Sequence, residues 1–161
     1  MEGVNAPQRV SLRTVEDRDL ALFFEYQADA GAAAMAAVAS QDRDQFDAHW
    51  AKIRLNPTGH LRTVLVDGAV AGHVACWQDQ DQEQWLIGYW IGRGYWGRGV
   101  ATQAIRLFVD EVTNPSLHAH VAAHNAGSIR VLEKCGFHQE QVPHAPGPGD
   151  GIAELHFVLT R

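Results

Sequence analysis

Cysteine is scarce in this chain. There are two in 161 residues, Cys76 and Cys135, and both sit among apolar neighbours. Two thiols cannot build the bridge-dense framework of a small secreted domain, so buried free thiols are the expectation. No apolar run approaches the roughly 18 residues that a membrane-crossing helix needs, and no charged-then-apolar leader opens the chain. The expectation is a soluble cytoplasmic protein with no membrane partner. An excess of basic residues is also missing. Lys and Arg number 13 against 19 Asp and Glu, a formal net charge of −6. Nucleic-acid binding needs a basic face to neutralise phosphates, so a nucleic acid is excluded as a partner. An acidic balance suits a cationic substrate such as an amine. Nine histidines are present, but they are scattered and lack a zinc pattern such as His-Glu-x-x-His. His118 and His120 would share one face of a strand. Ordinary surface or core histidines are the expectation, with no metal.

What is present is enough for one folded unit. A chain of this length buries about 70% of its unfolded surface and forms a core without staples. No internal repeat or linker divides it, so residues 1–161 read as a single domain.

The most informative stretch is Gly92-Arg93-Gly94-Tyr95-Trp96-Gly97-Arg98-Gly99-Val100-Ala101-Thr102. It follows an apolar run, Trp85 to Ile91, whose length and β-branched or aromatic content predict a strand. It precedes a helical spacing with Val100, Ala104, Leu107 and Phe108 on one face and Ala101, Ile105 and Val112 beside them. The glycines therefore occupy a strand-to-helix turn. Such a turn aims backbone N–H groups outward at the positive end of a helix dipole. Glycine permits positive φ and close approach of a large anion to the main chain. The arrangement suits a pyrophosphate, and a glycine-rich connection without a ligand is the bland alternative.

Three anion loops compete for these glycines. A P-loop needs Lys and then Ser or Thr after its last glycine, whereas Gly99 is followed by Val100 and Ala101. The dinucleotide fingerprint matches Gly92-Arg93-Gly94-Tyr95-Trp96-Gly97 by letter. It lies mid-chain, however, and the position where an acid-tipped strand is required falls near Asn114-Pro115. The third is the coenzyme A loop of the GNAT superfamily of N-acetyltransferases. Trp96-Gly97-Arg98-Gly99-Val100-Ala101 resembles it from the first glycine onward, with Trp where the family has Gln or Arg. That substitution is similar to the branch acetylating ribosomal-protein N-termini. A second stretch, Asn125-Ala126-Gly127-Ser128 through Cys135-Gly136-Phe137, resembles the family's Asn after the fifth strand, its Ser three residues later, and its Gly-Phe. The resemblance covers residues 60 to 160 well, and the first 60 in general layout.

In chain order, Arg9 to Arg13 predicts a first strand, and Thr14 a helix cap with Asp17 as a capping-box partner. Leu20, Leu22, Phe23 and Phe24 supply a first helix, followed by an Ala-rich segment, residues 28–39, that reads as a helix extension or a flap. Ser40 or Asp42 caps a second helix, Asp44 to Leu55. His60 to Val66 and Ala69 to Trp77 form a hairpin about Asp67-Gly68. A second hairpin loop spans Gln78 to Gln84. Helix three runs from about Gly97 to Val112, strand five from Leu117 to Ala123, and helix four from about Ala126 to Lys134 with Gly136 behind it. Phe137 to Val142 and Ile152 to Leu159 flank a Pro/Gly-rich loop. The layout predicts an α/β (α+β) fold. The resemblance specifies a GNAT fold, with one mixed, mostly antiparallel sheet of about seven strands and about four helices on both faces.

The resemblance implies acetyl transfer from acetyl-CoA to a primary amine, a protein N-terminus or a small molecule, by direct attack in a ternary complex. It implies no metal, and a monomer or homodimer. The alternatives are an acyltransferase using another acyl-CoA, or a CoA-binding sensor with little catalysis. The backbone of Gly97, Arg98, Gly99, Val100, Ala101 and Thr102 would hold the pyrophosphate, with the Arg98 side chain adding charge. Main-chain groups around Trp90 and Ile91 would meet the pantetheine, and Asn125 would bond pantetheine or cap a helix. Ser128 would assist the leaving thiolate. The family's usual acid and base positions hold Leu132, Leu86 and Gln103 here. The candidates left for proton transfer are Glu83, His73, His120, His124 and Tyr89, and the general base is unassigned.

Overall fold

The structure is a computed structural model, and it describes residues 8–36, 41–79, 84–140 and 153–161. Seven strands form one sheet in the order β1-β2-β3-β4-β5-β7-β6. They are β1 Val10–Arg13, β2 His60–Val66, β3 Ala69–Asp79, β4 Gln84–Ile91, β5 Ser116–Ala122, β6 His138–Gln139 and β7 Glu154–Thr160. Every neighbouring pair is antiparallel except β4 and β5. The β2–β3 hairpin turns where expected, since Asp67 and Gly68 have φ of 51° and 85°. Positive φ at both central residues is what a twisted two-residue turn requires.

Five α-helices accompany the sheet among the described residues: α1 Asp19–Ala28, α2 Ala30–Ala36, α3 Arg43–Leu55, α4 Val100–Glu111 and α5 Ala126–Lys134. That is one more than the sequence suggests. The Ala-rich segment is not a plain extension of α1, because Asp29 takes extended backbone angles and its carboxylate accepts from the Gly31 and Ala32 amides. The chain is thereby restarted as a second short helix. Asp42 caps α3 in a reciprocal capping box with Gln45. At α1 the expected cap is wrong. The helix begins at Asp19, and neither Thr14 nor Asp17 caps it. Asp19 is buried instead and accepts from Arg13, the Glu16 amide and Thr63.

Alternate strand residues feed two cores. Val64, Val74, Cys76 and Ile87 pack with Val100, Ile105 and Phe108 of α4 and Leu132 of α5. Phe23, Phe46 and Trp50 of α1 and α3 pack with Leu61 and Val70. On α4, Ile105 continues the buried stripe, while Leu107 lies at its margin and is 40% exposed. Cys76 is buried and Cys135 half-buried, both as free thiols. The helix expected from Gly97 begins at Val100, because Gly97 and Gly99 both have φ of 75° and cannot continue it. Strand six is confined to His138–Gln139 within the described residues. Glu83, Val142, Ile152 and the Pro/Gly-rich loop lie outside them. No described helix is long and apolar enough to cross a membrane.

Candidate active site

Parallel strands need a crossover, and α4 provides it between β4 and β5. Yet these two strands pair at one position, Leu86 opposite His118. Past that point they part, and a cavity of about 600 Å³ opens between the end of β4 and the start of α5. Tyr89, Trp90 and Ile91 form its β4 wall. The head of α4 and the first turns of α5 form the other side.

Two helix N-termini therefore open on one space. In α4 the first helical bond runs from the Gln103 amide to the Gly99 carbonyl at 3.1 Å. The amides of Val100, Ala101 and Thr102 precede that ladder and lie at the positive end of the helix. Gly97 and Gly99, in left-handed conformation, turn the chain into it at little steric cost. A methyl group built on Gly97 would meet nothing within 4 Å, so the loop surface is open at that point. At α5, Asn125 Oδ1 accepts from the Ser128 amide at 3.2 Å, which makes Asn125 the N-cap. Arg130 and Lys134 of α5 also line the cavity. These two cations were missed in the sequence, where they look like ordinary solvated positions on a helix. Only the parting of β4 from β5 brings them to the site.

Trp96, in the family's Gln or Arg position, has a visible task. Its Nε1 donates to the Ile91 carbonyl at 2.8 Å and ties the glycine loop to the end of β4. Arg93 lies over the Trp96 ring and pairs with Asp29 at 2.8 Å. His124 Nε2 donates to the Ala34 carbonyl at 3.0 Å. Helix α2 is held at both ends in this way and covers the site with Ala32, Met35 and Ala36.

Of the residues expected to contact a cofactor, Trp90, Ile91, Gly97, Gly99, Val100, Ala101, Thr102, Asn125 and Ser128 all line this cavity. The Arg98 side chain turns elsewhere. Its Nε donates to Gln8 at 3.0 Å, and its guanidinium lies over Tyr95. Among the proton-transfer candidates, Tyr89 and His124 line the cavity. Burial pushes the Tyr89 hydroxyl up to about 12, and that hydroxyl is hydrogen-bonded to Ser128 Oγ. His73 is packed between the rings of Phe23 and Trp50, and burial pushes it down to about 3. His120 stacks on His156 and pairs with Glu154 at 3.3 Å. The described residues hold no group of three or more His, Cys, Asp or Glu able to bind a metal.

The architecture is an open mixed sheet parted at its one parallel seam, with a glycine-turned helix aimed into the gap. The chain belongs to the GNAT acetyltransferase family, as the family model described as "Acetyltransferase (GNAT) domain" matches residues 9–138. A Bacillus subtilis (strain 168) protein named "Probable N-acetyltransferase YjcK" is 40% identical over 79 residues, 47% of this chain and 44% of the relative. The chain spans less than half the length of the curated relatives it matches. Among solved structures, a Vibrio cholerae spermidine N-acetyltransferase in complex with CoA and spermine superposes with TM-score 0.79 at 17% identity, over 94% of this chain and 95% of that one. Mycobacterium smegmatis RimJ in complex with CoA-disulfide gives 0.76 at 21% identity, over 94% and 81%. Both share the mixed α/β fold described above.

Proposed function

We propose that this protein is an acetyl-CoA-dependent N-acetyltransferase. It would transfer acetyl to a primary amine, a protein N-terminus or a small-molecule amine, by direct attack while both substrates are bound. One observation carries the reading: the heads of α4 and α5 converge on the gap between β4 and β5. That geometry matches an elongated ligand with an anionic end. The amides of Val100 to Thr102 would take the diphosphate, and Arg130 and Lys134 would add positive charge. The β4 edge past Leu86, unpaired with β5, would meet the pantetheine amides as an added strand does. The thioester would then lie where β4 and α5 face each other, beside Ser128.

The amine would approach from beneath α2. It must arrive unprotonated, and a lysine-like amine has a pKa of about 10.4. Of the histidine candidates, His124 lines the cavity. Main-chain N–H groups of the parted strand are suited to stabilise the tetrahedral oxyanion. The names of the curated relatives, both N-acetyltransferases, and of the spermidine N-acetyltransferase support acyl transfer to nitrogen, and the RimJ complex supports a coenzyme A site.

Thermal unfolding with acetyl-CoA tests this. A ligand at 100 times its Kd stabilises a protein by about 2.7 kcal/mol, a clear rise in Tm. Gly99→Glu should abolish the rise, since Gly99 has a φ of 75° and the new carboxylate would repel the diphosphate. An unmoved melting curve at millimolar acetyl-CoA would refute the reading. Release of free thiol with a panel of amines would then report turnover.

A further inference from the structure

We infer that Tyr89 is a positioning residue for the leaving thiolate, orienting the Ser128 hydroxyl so that its proton points into the cavity. The inference rests on the acetyl-CoA reading above and goes beyond it. Tyr89 on β4 and Ser128 on α5 are 39 residues apart, and their hydroxyls are in direct contact. Both line the cavity at the place where β4 and β5 have parted.

Either hydroxyl could donate to the other, and the relative acidity of the two protons decides the direction. The Tyr89 hydroxyl has Ser128 Oγ as its hydrogen-bond partner among the described residues. Its ring packs against the main core, and burial keeps it protonated throughout the working pH range. The phenolic O–H is the more acidic of the two and so the stronger donor, while the aliphatic Ser128 Oγ is the better acceptor, which makes Tyr89 the donor. If Tyr89 donates, its proton is satisfied and the Ser128 proton is free to face the cavity. Hydroxyls in a chain of hydrogen bonds polarise one another, so Ser128 becomes a better donor than an isolated serine. The Asn125 cap fixes the other side of the residue, since its Oδ1 holds the Ser128 amide.

The consequence for the reaction is electrostatic. When the tetrahedral intermediate collapses, the C–S bond breaks and its electron pair goes to sulfur. Ser128 Oγ–H donates a hydrogen bond to that thiolate, and Tyr89 Oη–H donates to Ser128 Oγ. Neither residue loses its proton. The thiolate is later protonated by solvent, and the proton lost by the amine balances it.

The experiment titrates the thiol of bound CoA by its ultraviolet thiolate absorbance, with the CoA-free protein subtracted to remove Cys76, Cys135 and the tyrosines. It uses the wild type, Tyr89→Phe and Ser128→Ala. The wild type should hold the bound thiol below free CoA, and each variant should raise it by roughly one pKa unit, a tenfold change in the equilibrium. Tyr89→Phe should also lower kcat roughly tenfold with little change in KM for acetyl-CoA, because the bond is made to the departing group. A purely structural tyrosine would lower Tm and leave the thiol pKa at its wild-type value, and that result overturns the inference while CoA binding stands. An unchanged thiol in Ser128→Ala overturns it as well. A wild type that fails to bind CoA overturns the acetyl-CoA reading, and this inference falls with it.

Discussion

His73 occupies a site shaped for an apolar ring. Its centroid lies 4.8 Å from those of Phe23 and Trp50, and neither ring nitrogen has a hydrogen-bond partner among the described residues. Burial holds its pKa at about 3, far below the 6.5 of an exposed histidine. A lowered pKa means that the unfolded chain binds the proton more readily. The folded state therefore loses stability as pH falls from about 6.5 toward 3 and keeps it in full above 6.5. His73→Phe removes two unsatisfied nitrogens and that dependence together. It should stabilise the protein by about 1 kcal/mol near neutrality and by more at pH 5. Denaturant titrations of both proteins at the two pH values measure this, and a destabilised variant would show that the nitrogens are satisfied in solution. Nothing in the sequence distinguishes His73 from the other histidines in this respect, because its neighbours come from α1 and α3. Asn125 was easier to read, since a helix N-cap is a local device and the helical spacing begins at the next residue.

Elements were legible where a side chain marked their ends. Asp42, one of two candidate caps, announced α3, and Asp67-Gly68 announced the β2–β3 turn. The Ala-rich segment gave no such mark, because a run of alanines has no polar face to set against an apolar one. What defines α2 is Asp29, whose carboxylate holds the Gly31 and Ala32 amides and the Arg93 guanidinium at once. The last of these partners is 64 residues away. Seven residues are too few for an isolated helix to be stable in water, so α2 depends on these contacts. Asp29→Ala should raise amide hydrogen exchange across residues 31–36 roughly tenfold, the equivalent of one lost cap, and leave the β2–β3 amides unchanged. Exchange at the wild-type rate would mean that packing over the cavity, not the cap, orders the helix. The Tyr89–Ser128 contact was hidden for a related reason. Each residue lies on a readable element, but neither element shows how it meets the other.

The whole molecule is tied together near its first strand by one buried carboxylate. Asp19, 1% exposed, joins Arg13 of β1, the head of α1 and Thr63 of β2. Burial alone would raise its pKa, but hydrogen bonds from Arg13, the Glu16 amide and Thr63 outweigh that effect and bring it down to about 2. For a carboxylate lowered in this way, the stabilisation is present above the unfolded value of about 3.9 and is lost as pH falls toward 2. The pair is worth about 2 kcal/mol to acid stability by that linkage. Asp19→Asn should cost about 3 kcal/mol at neutral pH, because Arg13 keeps a half-buried charge without its partner. It should also flatten the acid limb of the unfolding curve between about pH 4 and 2, and an acid limb as steep as that of the wild type would place the titrating group elsewhere.

By itself the sequence determined the order of strands and helices apart from α2, the positive-φ turn before α4, the cap at Asn125 and the apolar faces that fill the core. All of these follow from interactions within a few residues, and a linear pattern encodes them directly. The parting of β4 from β5, the meeting of two helix ends over that gap, the cations of α5 beside it, and the hydroxyl pair of Tyr89 and Ser128 were decided by tertiary structure alone. They exist because one sheet brings distant segments to a common seam, and the distances across it depend on how every layer of the molecule packs.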